Sequence, residues 1–98
     1  MFLKQLVNFV MLKQDDGHEI IIKYMLTHRE PNIYGVLAEK HLVTGGEMRF
    51  LEECETRGGY TLQDALMIAE IFTNGKVLPT TYLEMEEELC RNKALSTI

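Results

Sequence analysis

No run of apolar residues in this chain of 98 approaches the ~20 needed to cross a bilayer as a helix, so a helical membrane span is excluded. Cysteine is scarce. Cys54 and Cys90 are too few for a disulfide framework or a four-thiolate zinc site. Basic runs are missing as well: ten Lys and Arg stand against fifteen Asp and Glu, for a net charge of −5. Nucleic-acid binding driven by phosphate contacts needs a basic face, and nothing in the sequence supplies one. HExxH, CxxC, P-loop and GxGxxG patterns are all absent, and His18, His28, His41, Cys54 and Cys90 are widely spaced. No metal site, cofactor site or catalytic residue is therefore expected. Cys54 lies among Glu52, Glu53 and Glu55, and Cys90 follows Glu86–Glu88, which disfavours the thiolate a nucleophile needs.

What is present is an average globular composition, 46% hydrophobic and 26% charged, in a length that suits one domain over 1–98. The charge excess is uneven. Through residue 46 the acids and bases balance, so the deficit lies in the second half and is densest at Glu84, Glu86, Glu87 and Glu88. Solvated helix faces explain such clusters, and Glu84, Glu87 and Glu88 form a candidate docking face for a basic partner. Gln5 and Asn8 interrupt the apolar N-terminus and Lys13-Gln14-Asp15-Asp16 follows, which argues against a secretory signal. With six methionines and two cysteines, a cytoplasmic location is expected.

Helix starts are the strongest local signals. Asp16-x-x-Glu19, Thr44-x-x-Glu47, Thr61-x-x-Asp64 and Thr81-x-x-Glu84 have the form of capping boxes, and Pro31 suits a first helical turn. Gly58-Gly59 and Asn74-Gly75 suit helix ends. The spacing predicts helices at about 2–14, 17–29, 31–42, 45–57, 62–73 and 81–95. The fold class is then all-α, a compact bundle of five or six short helices. The segment 62–73 is apolar almost all round, which predicts a central buried helix. The alternative is an α+β fold with a β-hairpin at about 6–27, favoured by Ile20-Ile21-Ile22 and by the turn chemistry of Asp15-Asp16-Gly17.

The first two segments carry more apolar surface than a small core can cover, which points to self-association. Phe2, Phe9, Ile22 and Leu26 are the candidate interface of a homodimer, with an unidentified protein partner as a further expectation. The function expected is a non-enzymatic, cytoplasmic interaction or regulatory domain. The alternative is a regulator with a helix–turn–helix at 45–73 and an auxiliary nucleic-acid contact. Arg49-Phe50-Leu51 with Arg57-Gly58-Gly59-Tyr60-Thr61-Leu62-Gln63-Asp64-Ala65 resembles the connector that follows the DNA-binding lobe in mercury-resistance-type regulators, over less than a third of the chain. The basic winged lobe of that family has no counterpart here.

Overall fold

The computed structural model describes residues 3–91. Four long strands come first: β1 (Leu3–Lys13), β2 (Glu19–Glu30), β3 (Ile33–Thr44) and β4 (Glu47–Glu55). They form one antiparallel sheet in the order β1-β2-β3-β4, each strand paired with its sequence neighbour. Helix α1 (Leu62–Gly75), a 3-10 turn at Pro79–Thr81 and helix α2 (Tyr82–Arg91) follow and cover one face of the sheet.

The all-α bundle is thus overturned, and the α+β alternative with an N-terminal hairpin fits instead. The cause is a shared vocabulary: Asp, Thr, Gly and Pro mark tight turns as well as helix caps. Asp16 does accept a backbone hydrogen bond, from the His18 N–H at 3.0 Å, but inside the β1–β2 turn. Thr44 and Glu47 face each other across the Gly45-Gly46 turn, where both glycines have positive φ (55° and 84°), as a two-residue type I′ hairpin loop requires. Pro31 occupies the β2–β3 turn with Asn32 at φ 68°, a Pro-then-left-handed pairing that suits a type II turn. Because 47–55 is a strand, residues 45–73 read strand, loop, helix. No helix–turn–helix unit forms there, and the connector resemblance loses its structural basis.

Of the four predicted capping boxes only the one at Thr61 holds. The Thr61 hydroxyl accepts the Asp64 N–H at 3.2 Å and starts α1, while Lys76 ends it in the left-handed conformation. Thr81 instead closes the 3-10 turn, its hydroxyl donating to the Leu78 carbonyl at 3.3 Å.

The core lies between helices and sheet. Ile20, Ile22 and Tyr24 of β2 and Val36 and Ala38 of β3 pack under Ala65, Ile68, Ala69 and Phe72 of α1. Tyrosine hydroxyls fasten the layers: Tyr24 donates to the Val77 carbonyl at 2.8 Å and Tyr82 to the Val36 carbonyl at 2.7 Å. Both bonds satisfy a buried phenol, the Val36 carbonyl accepting the Thr56 N–H at 3.0 Å as well, so the rings fill the core at no cost in unsatisfied hydroxyls. Helix α1 is not surrounded, however. Leu62 and Leu66 on its outer side are exposed, correcting its placement at the centre of a bundle. Among the described residues no helix is long and apolar enough to cross a membrane.

Candidate functional site

Side chains alternate between the two faces of a strand, so the register divides the sheet residues into two sets. One set, carrying Ile20, Ile22 and Tyr24, lies under the helices. The other set faces away from them; toward one end of it Leu37 and Thr27 are buried, whereas its edge strands are open. Its central row runs Phe9, Lys23, Glu39 and Glu53 from β1 to β4; the rows on either side run Met11, Ile21, His41, Phe50 and Leu6, Met25, Leu37, Glu55. Five large apolar side chains of this open face are about half exposed: Leu6 49%, Phe9 51%, Met11 52%, Met48 47% and Phe50 51%. Register shifts at Val7 in β1 and Leu51 in β4 interrupt the strict alternation of both edge strands, as bulges do.

Charge on this face is segregated. Lys4, Lys13 and Lys23 stand on β1 and β2, with Glu19 the single acid there, whereas Glu39, Glu53 and Glu55 stand on β3 and β4. Lys4 Nζ reaches Glu39 at 3.5 Å across the face, and Glu39 also meets His41 Nε2 at 3.1 Å. The Thr27 hydroxyl donates to Glu55 at 2.7 Å.

A second concave feature lies where the β4–α1 loop meets α2. It is a cleft of about 610 Å³ whose wall includes Arg57, Tyr60, Leu83, Glu86, Glu87 and Cys90. Glu86 is buried and its carboxylate accepts the Arg57 N–H at 2.8 Å, the Gly58 N–H at 3.0 Å and the Tyr60 hydroxyl. Gly58 permits this approach, since a Cβ there would meet the Tyr60 hydroxyl at 2.8 Å. Burial, the hydrogen bond with Cys90 and the carboxylate of Glu86 together push the Tyr60 phenol well above its ordinary pKa. The Cys54 thiol is likewise raised, first by burial and then by the charge of Glu86. The carboxylate is spent on anchoring α2 to the loop, and raised pKa values are the reverse of what an activated nucleophile needs.

The four candidate interface residues do not share a surface. Phe9 lies on the open face, Ile22 is fully buried under the helices, Leu26 is partly buried on that same inner face, and Phe2 falls outside the described residues. Assigning all four to one helical surface failed because Ile20-Ile21-Ile22 belongs to a strand apolar on both sides. Glu84, Glu87 and Glu88 are exposed on α2, and Glu87 pairs with Arg91 at 3.3 Å. The sequence reading missed Glu86, although it falls four residues after Tyr82 within the apolar stripe Tyr82, Met85, Leu89. It also missed Met11, Met48 and Phe50, which a period-two reading of β1 and β4 exposes. Among the described residues no three His, Cys, Asp or Glu side chains converge as metal ligands. Cys54 and Cys90 are free thiols. Comparison with family models, curated proteins and solved structures finds no match to this chain.

Proposed function

We propose that this protein is a small, non-enzymatic, cytoplasmic interaction domain that forms a homodimer through the open face of its sheet. One observation carries the reading: five large apolar side chains, each about half exposed, line the two edge strands of the sheet face turned away from the helices. Half-buried antiparallel sheets normally put polar residues outward, and clustered apolar surface marks association. The size is suitable. Four strands about 4.8 Å apart and some eleven residues long at ~3.3 Å each give a face on the order of 700 Å². A standard interface takes about 800 Å² from each partner. The free thiols Cys54 and Cys90 agree with a reducing compartment.

Absolute mass by light scattering, at micromolar and at high concentration, tests this. The expected result is a dimer that the double variant Phe9→Glu, Phe50→Glu converts to a folded monomer. A parent chain that stays monomeric at both concentrations overturns the reading.

A further inference from the structure

Taking the dimer just proposed as its basis, we infer that the second copy sits face to face with its two-fold axis parallel to the strands, so that β1 and β2 of each copy lie over β4 and β3 of the other. An isologous pairing of two sheet faces has two simple choices of axis in the plane of contact. An axis along the strands exchanges the columns of the sheet and preserves the rows. An axis across the strands does the reverse.

The charges separate these choices. Along the strands, the lysine-bearing half of one copy faces the glutamate-bearing half of the other, and the central row brings Lys23 over Glu39 twice, once on each side of the axis. In the neighbouring row Met11 then lies over Phe50, apolar on apolar. Across the strands, the central row meets itself: Lys23 over Lys23, Glu39 over Glu39 and Glu53 over Glu53, while Lys4 faces Lys13. Like charges opposed in a desolvated interface disfavour the pairing, whereas complementary ones fix the register. Aligned sheets cross at about 30°, a rotation that displaces outer rows and barely moves those at the centre. β2 and β3 flank the axis directly, so the Lys23–Glu39 pairing survives that rotation.

The test is charge exchange. Lys23→Glu alone and Glu39→Lys alone are each expected to weaken dimerisation at least about tenfold, since each opposes two like charges across the interface. Mixing the two variants should restore the dimer mass, because in the mixed pair every Lys again faces a carboxylate. Because Glu39 also pairs with Lys4 and His41, circular dichroism must show each variant folded. A second measurement needs no charged residue. Met11→Cys and Phe50→Cys chains, treated with a short bis-maleimide that spans facing sheets about 10 Å apart, should cross-link when mixed but not singly, above the level of the parent. If the parent is a dimer that Phe9→Glu, Phe50→Glu dissociates, yet Lys23→Glu dimerises like the parent and Phe9→Cys links to itself, the strand-parallel axis is overturned while the dimer stands. A monomeric parent overturns both.

Discussion

Of the four glutamates between Glu84 and Glu88, one turns inward, and its surroundings explain why. Glu86 lies on the face of α2 that packs against the sheet, and there it takes three hydrogen bonds, from two backbone N–H groups and a phenol. A buried carboxylate persists only when its lone pairs are filled in this way. Glu86→Ala would strand those donors and is expected to destabilise the fold by about 3 kcal/mol. Glu87→Ala, which removes only an exposed pair with Arg91, should change stability by less than ~0.5 kcal/mol. Urea unfolding of the two variants checks the contrast, and equal midpoints would refute the anchoring role of Glu86.

At the scale of elements, α1 shows how far an apolar sequence can mislead about burial. Its run from Leu62 to Phe72 reads as buried on all sides, yet among the described residues the helix packs on the sheet and on Tyr82 and leaves Leu62 and Leu66 exposed. Phe72 is fully buried, edge-on to Tyr82 at 4.6 Å between ring centroids, while Leu66 keeps 41% of its surface. Phe72→Ala should therefore cost about 3–5 kcal/mol, in line with buried aromatic truncations, and Leu66→Ala about 1 kcal/mol or less. Thermal melts of the pair decide it; a larger shift for Leu66→Ala would mean that something covers the outer side of α1.

For the molecule as a whole, three buried tyrosines couple the fold to alkaline pH. Burial pushes Tyr24, Tyr60 and Tyr82 above the ordinary phenol range, with neighbouring thiols and carboxylates adding to Tyr60 and Tyr82. A folded-state pKa above the unfolded value means that the native state holds more protons, so stability is full below about pH 10 and falls as pH rises beyond it. Tyrosinate absorbance from these three residues is expected to appear only together with loss of the far-ultraviolet signal. Ionisation of all the tyrosines before unfolding would contradict their burial.

Local chemistry alone was enough for the Thr61 cap, the position of α1 and most of α2, the lack of a membrane-spanning helix among the described residues, and the apolar surface left exposed on β1. These features are set by composition or by contacts within a few residues. The nature of the first 55 residues was not legible in the same way. Ile20-Ile21-Ile22 looks alike as strand or helix when both faces of the strand are apolar, and a bulge at Val7 spoils the alternation that would have separated them. Asp16, Pro31 and Gly45-Gly46 are equally at home in a cap or a hairpin. Pairing with neighbouring strands resolved each of them, because a strand's hydrogen bonds are made to another segment and a helix's to itself. The same pairing decided which side chains share a surface. It buried Ile22, turned Phe9 outward beside Met11 with Phe50 on the same face at the far edge, and gathered lysines on one half of that face and most of its glutamates on the other.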